Sequence, residues 1–330
     1  TDNTGISGLE ERWNDVLTGT TGRIVAAKDN KGDMISDEAE QYVAEENGSN
    51  LYLTIDTNIQ IIAEKALEEA CVQNNALDGG NVIVMNPQNG EIYAMVNVPE
   101  FNLNDPFNLK NVEIDSLELS EEEKQNLLNQ MWRNACISDT YEPGSIFKIF
   151  TATSCLEEEI VSLGNSFYCP GYYIVEDRKI RCHKVGGHGS ETFVEAVQNS
   201  CNPVFMNIGL SLGTDRFYEY FERLGLLSKT GVDLPGEAGT IMHKKENVGP
   251  VELATMTFGQ SFQVTPIQMA TVVSEIINGG IRVTPHLGVR ILNEEGETLK
   301  NFSYKLCQQS LAMLLSFTLS PYLKHVPSEQ

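Results

Sequence analysis

The chain has 330 residues, a formal net charge of −23 and ordinary apolar content for a folded protein. That length gives room for one large domain or two smaller ones with a full core. The acidic balance argues against nucleic acid, whose phosphates need a basic surface, and against direct docking on anionic lipid.

Residues 1–48 are polar and turn-rich, with glycines at 5, 8, 19, 22, 32 and 48, and are expected to be the end of a larger extended region. The alternation Leu51-Tyr52-Leu53-Thr54-Ile55 predicts a strand. Asp56 or Thr57 should cap a helix over 58–73, where Ile59, Ile62, Ala63, Ala66 and Leu67 recur at helical spacing. Asn81–Met85 and Glu91–Val96, joined by Asn86-Pro87-Gln88-Asn89-Gly90, read as a hairpin. A loop and an acidic helix follow over 100–130. A helix beginning at Ser145 is expected to reach about Glu158. Residues 164–190 are Gly-rich and irregular, with a ribbon-like stretch between Cys169 and Cys182. Helices are predicted over 191–199, 203–212, 214–224, 253–258 and 266–278, and Val283–Leu292 with the Asn293–Gly296 turn suggests a last strand pair. Strands, then a helical block, then strands again describe an α+β layered domain. The apolar stretch Leu311–Leu323 is too short to span a bilayer and holds Pro321.

The chemistry concentrates in Tyr141-Glu142-Pro143-Gly144-Ser145-Ile146-Phe147-Lys148. A Pro-Gly turn delivers a serine to a helix start, and a lysine three residues on shares its face. Lys148 can then take the Ser145 proton, and the free N–H groups of a helix start favour a developing negative charge. A bare Ser-x-x-Lys arises by chance roughly once in a chain this long, so its context carries the reading. Ser200-Cys201-Asn202 is a second polar cluster. A helix cap before Pro203 accounts for it alone; beside Ser145 it offers a proton-relaying hydroxyl and an amide for substrate. Lys229-Thr230-Gly231 lies between turns, Leu224-Gly225 and Pro235-Gly236, and is read as loop, not as a catalytic strand. The histidines form no triad, and no phosphate loop or metal motif is evident, so no cofactor or metal is expected.

There are seven cysteines. Cys71, Cys155 and Cys201 sit in apolar or helical settings and read as packed thiols. Cys169 and Cys182 flank a short loop that a disulfide would close, at about 3 kcal/mol in a chain-entropy account. Zinc is disfavoured beside that bridge, because the spacing of His183 and His188 fits no usual structural site.

Over about residues 5–300 the chain resembles the class B penicillin-binding proteins, the peptidoglycan D,D-transpeptidases. The resemblance rests on Leu53-Thr54-Ile55-Asp56, Gly90-Glu91-Ile92-Tyr93-Ala94-Met95, Tyr141–Ser145, Asn199–Pro203, Gly231–Glu237, and Gly259-Gln260-Ser261 before Val264-Thr265-Pro266. The Cys169-Pro170-Gly171 and Gly187-His188-Gly189 segments are similar to members of Gram-positive, sporulation or division lineages. The resemblance implies a serine β-lactamase-like fold, a central antiparallel sheet with helices on both faces. It implies an end of the non-catalytic pedestal over 1–48, a transpeptidase domain over 49–302 that lacks its last strands, and an atypical tail over 303–330. Ser145 would be the acyl-accepting nucleophile and Lys148 its base, with Ser200 and Asn202 as the second motif. Substrates would be stem peptides ending in D-Ala-D-Ala, and β-lactams would acylate the same serine. The setting implied is the extracytoplasmic face of the membrane, with division or sporulation proteins as partners. The family's catalytic Lys-Thr-Gly strand is not found, which leaves this chain's own turnover open. Two other readings stand beside transpeptidation: a non-catalytic scaffold of the division machinery, and a hydrolase of carboxypeptidase or β-lactamase type.

Overall fold

A computed structural model describes residues 4–25, 41–109 and 119–306. The tail expected over 303–330 therefore lies mostly outside the described residues. The chain divides into two compact units.

The first unit comprises residues 1–54, 233–235 and 287–303. Its sheet is antiparallel and three-stranded, with Gly288–Leu292 between Asn50–Leu53 and Thr298–Asn301. Ile291, almost buried, pairs with Leu51 on one side and Lys300 on the other. The Asn293–Gly296 turn closes the pair formed by the last two strands, with Asn293 Oδ1 accepting from the Glu297 N–H at 2.7 Å. The polar start of the chain folds into two short helices, Gly8–Arg12 and Asn14–Leu17, and the ribbon Arg23–Val25/Gln41–Val43. Trp13 packs on Phe302 with ring centres 4.5 Å apart. Asp233 is buried, and its two carboxylate oxygens accept from the N–H groups of Leu287 and Gly288, each at 2.8 Å.

The second unit comprises residues 55–232, 236–286 and 304–330. Asp56 caps the helix Thr57–Gln73 through Oδ1, which accepts from the N–H groups of Asn58 and Ile59. The hairpin Gly80–Met85/Ile92–Val98 follows, as the turn residues predict. Gln60 ties helix to hairpin: its amide accepts from Met95 N–H at 2.9 Å and donates back to the Met95 carbonyl. The short helix Ala135–Ser138 and the helix Pro266–Ile277 also pack on the hairpin. Ile92, Ala94 and Val96 alternate inward and are fully buried, the period-2 pattern of a strand with one face on a core.

The main core is helical. Lys148–Glu157, Asn202–Arg223, Pro250–Met256 and Pro266–Ile277 surround Phe147, Phe150, Phe217, Phe221 and Phe262. These rings meet at 4.5–6.3 Å in stacked, tilted and edge-on pairs, the geometries that aromatic quadrupoles favour. The two helices predicted over 203–212 and 214–224 are present within Asn202–Arg223, separated at Gly213, whose φ of +79° interrupts the helical run. The stretch expected to be irregular over 164–190 carries two antiparallel ribbons. Ser166–Cys169 pairs with Gly189–Thr192, and Tyr172–Val175 pairs with Arg178–Arg181. The second is the ribbon-like stretch expected between Cys169 and Cys182; the first joins strands distant in sequence, which local periodicity does not register. The architecture is the expected α+β class, antiparallel strands flanked by helices.

Candidate active site

Ser145 does not open an α-helix directly. It lies on a 3-10 turn, Gly144–Phe147, and the α-helix begins at Lys148. The tighter turn leaves the serine exposed and its i+3 partner, Lys148, buried. Phe147 beside it is fully buried and anchors the turn in the aromatic core. The other wall is residues 259–264. Gly144, at φ +59°, donates its N–H to the Gly259 carbonyl at 2.9 Å. A Cβ on Gly259 would lie 2.0 Å from the Gly144 carbonyl oxygen, so only glycine permits this approach. The Glu142 carboxylate accepts from the Ser261 N–H at 2.8 Å, and Tyr141 and Val264 exchange both backbone hydrogen bonds at 3.0 Å. Three residues of the Ser145 loop, Tyr141, Glu142 and Gly144, are thus held by one neighbouring segment.

Lys148 joins the two polar clusters. Its Nζ is 3.2 Å from Ser145 Oγ, 2.8 Å from Ser200 Oγ, 2.7 Å from the Ser200 carbonyl and 2.6 Å from Asn202 Oδ1. Ser200 supplies two of these contacts because its backbone is left-handed, at φ +50°. A non-glycine residue pays order 1–3 kcal/mol for that conformation, which the surrounding contacts must offset. Asn202 reaches Lys148 from the first turn of the long helix, where Pro203 fixes the helix start.

Burial is the first cause of the lysine's state, and it pushes the Lys148 ammonium down to about 8. An ammonium has three N–H donors, and four oxygens face this one. The three shortest contacts go to Ser200 and Asn202. When neutral, Lys148 has two donors left for these oxygens and a lone pair that can accept from the Ser145 hydroxyl, the longest contact. The arrangement can pass the Ser145 proton to the lysine.

The remaining expected site residues lie in the same unit. Lys229-Thr230-Gly231 is coil: the Glu237 carboxylate accepts from the N–H and hydroxyl of Thr230 at 2.6 and 2.7 Å and from Gly231 N–H at 3.2 Å. That turn uses its N–H groups internally, so they are not offered to a substrate.

Cys169 and Cys182, expected as a disulfide, are both free and buried. They are not alone. Cys201 and His188 join them, and the four ligand atoms lie within 4.8 Å of one another. Cys201 is therefore not simply a packed thiol. Hydrogen bonding between Cys182 and Cys201 holds the Cys182 thiol low and pushes the Cys201 thiol up, and burial adds to the rise at Cys201. The spacing Cys169, Cys182, His188, Cys201 hides this grouping, because strand pairing rather than sequence proximity assembles it. The available signal was Cys201 itself, set between two residues that touch the lysine.

Residues 80–310 match the penicillin binding protein transpeptidase domain. The chain belongs to that family. The nucleophile loop, lysine and Ser-x-Asn cluster thus lie inside the matched domain. Stage V sporulation protein D of Bacillus subtilis (strain 168) is 40% identical over 287 residues, which cover 87% of this chain and 42% of that protein. Peptidoglycan D,D-transpeptidase FtsI of Escherichia coli (strain K12) is 28% identical over 280 residues, 85% of this chain and 44% of that protein. The chain thus spans less than half the length of either relative. Among solved structures, a peptidoglycan synthetase from Bifidobacterium adolescentis superposes with a TM-score of 0.78 at 22% identity, covering 98% of this chain and 56% of that one. Penicillin Binding Protein 2X from Streptococcus thermophilus gives 0.76 at 21% identity, covering 97% and 44%. These two establish a shared transpeptidase-like fold. Among the described residues no helix is long and apolar enough to cross a membrane.

Proposed function

We propose that this chain carries the acylation centre of a class B peptidoglycan D,D-transpeptidase of the sporulation or division type, acting at the extracytoplasmic face of the membrane. The observation that carries the reading is Lys148, buried, with its Nζ 3.2 Å from Ser145 Oγ and 2.8 Å from Ser200 Oγ. Family membership and the likeness to a peptidoglycan D,D-transpeptidase support the substrate class, and the likeness to Stage V sporulation protein D supports the sporulation type.

In this scheme Ser145 Oγ attacks the carbonyl of the D-Ala-D-Ala peptide bond while neutral Lys148 takes its proton. The C–O bond forms and negative charge develops on the former carbonyl oxygen. As the C–N bond breaks, the proton passes from Lys148 through the Ser200 hydroxyl to the leaving D-Ala amine. An amine of a neighbouring stem peptide then attacks the acyl-enzyme and releases Ser145 with a new cross-link. A β-lactam follows the first half and stays attached, because its leaving amine remains tethered. Residues 1–48 are assigned to the non-catalytic region, 49–302 to the transpeptidase domain and 303–330 to an atypical tail.

The test is the intact mass of the chain after incubation with a penicillin, beside Ser145→Ala. The expected result is a single adduct that the variant does not form. A folded chain that forms no adduct would make it a scaffold rather than an enzyme. D-Ala release from a stem-peptide mimic, with and without an acceptor amine, then separates transpeptidation from hydrolysis.

A further inference from the structure

We infer that Cys169, Cys182, His188 and Cys201 form a structural zinc site that anchors the Ser200–Asn202 motif. Four potential ligands from four separate points of the chain converge, with all ligand atoms within 4.8 Å of each other. In a tetrahedral site with Zn–S near 2.3 Å, sulfur atoms stand about 3.8 Å apart and sulfur–nitrogen pairs slightly less. Cys182 Sγ and His188 Nδ1 are 3.7 Å apart, so little movement is needed to bind.

The backbone is built to hold this geometry. Cys169 ends one strand and pairs with Gly189, the residue after His188. Gly187, at φ +81°, presses its turn onto the Cys169 strand so closely that a Cβ would lie 2.2 Å from the Cys169 carbonyl oxygen. Cys182 leaves its own strand with its N–H bonded to the Gly171 carbonyl at 2.9 Å. Cys201 caps the long helix, and its N–H bonds to the Ala196 carbonyl at 2.9 Å. Two glycine turns and a helix start thus deliver three sulfurs and one imidazole to one point.

Ligand chemistry selects the ion. Three thiols and an imidazole suit zinc, whereas magnesium and calcium take oxygen cages. Four protein ligands close the coordination sphere, which is the structural rather than the catalytic kind of site. A disulfide would use only two of the three sulfurs and leave the third thiol and the imidazole unexplained. The placement also has a consequence for the serine centre. Cys201 lies between Ser200 and Asn202, both of which touch Lys148. Metal on Cys201 therefore holds the residue that keeps Ser200 in its left-handed conformation.

The experiment is metal analysis of the full chain purified under reducing conditions without chelator, followed by stripping and refilling with Co²⁺. Stoichiometric zinc is expected, as are the visible bands of tetrahedral Co²⁺ with sulfur-to-metal charge transfer in the near ultraviolet. Cys169→Ser and His188→Ala should each lose stoichiometric zinc, with far-UV circular dichroism reporting whether they fold. Should neither fold, the Co²⁺ spectrum of the unaltered chain decides alone. A folded chain with no zinc and no Co²⁺ spectrum overturns the site, and so does a Cys169–Cys182 disulfide found by peptide mapping of protein purified without reductant. Ser145→Ala keeps its zinc in this account, so loss of acylation and loss of metal are read separately.

Discussion

Lys148 does two jobs that pull against each other, and both leave a measurable pH dependence. As the proposed base it must be neutral, and with its ammonium at about 8 roughly a tenth of the molecules qualify at pH 7. The rate of Ser145 acylation by a penicillin should therefore climb about tenfold per pH unit up to about 8 and then level off. Stopped-flow acylation across pH 6–10 checks this; a profile flat through that range would remove Lys148 from the proton path. Lys148→Met should lower the same rate by about 10²–10⁴, the usual contribution of a positioned base. The stability effect has the opposite origin. The folded value of about 8 is below the ordinary 10.5, so the unfolded chain holds a proton that the folded chain has released between those values. The full penalty, about 3 kcal/mol, applies below pH 8 and disappears as pH rises toward 10.5. Folding stability should rise through that window in the wild-type chain, and urea midpoints of Lys148→Met should lack that rise.

Close approach at single glycines and buried caps set the elements' stability. Gly209 lies within the helix Asn202–Arg223, where alanine would ordinarily be favoured by up to about 1 kcal/mol. Here its Cβ would lie 2.1 Å from Thr257 Cγ2, so Gly209→Ala should instead cost about 1–3 kcal/mol. Thr257→Ser deletes that methyl and keeps the hydroxyl bond to the Ala254 carbonyl, so the double variant should recover most of the loss in urea unfolding. Recovery absent, the clash is not the cause. Asp233→Ala strands the N–H groups of Leu287 and Gly288 and should cost about 2–4 kcal/mol, with Asp233→Asn intermediate. The same elements mark what a sequence discloses. Helices that begin at Asp56, Thr192 and Thr265 carry side-chain caps, two of them full capping boxes, and their starts are legible. The break at Gly213 and the ribbon between Cys169 and Cys182 were legible too, whereas the pairing of Ser166–Cys169 with Gly189–Thr192 was not, because it joins strands distant in sequence rather than following local periodicity. The 3-10 start at Ser145 was missed for the same reason: Gly259 and the Phe147 anchor impose it.

At the scale of the whole molecule, the meeting of Ser145, Lys148, Ser200 and Asn202 was legible because the proposed chemistry requires these residue types at fixed spacing. The sulfur cluster was not legible, since its members are linked only through folding. Net charge is the property visible at both levels. The chain carries 46 acidic and 23 basic residues, a formal charge of −23. Its ion pairs are largely exposed at the surface, where each contributes little, so they do not neutralise the long-range field. A penicillin brings a carboxylate toward that field. Repulsion extends about 30 Å at 0.01 M salt and about 10 Å at 0.1 M. The second-order rate of Ser145 acylation by benzylpenicillin should therefore increase with added salt, the reverse of the steering seen between opposite charges. A zwitterionic penicillin carrying an amine should show a weaker slope under the same conditions. Equal slopes for the two ligands would mean that salt acts on the chain's conformation instead. A falling rate would mean that the local field at Ser145 is positive, set by Lys148 and the helix start rather than by the chain as a whole.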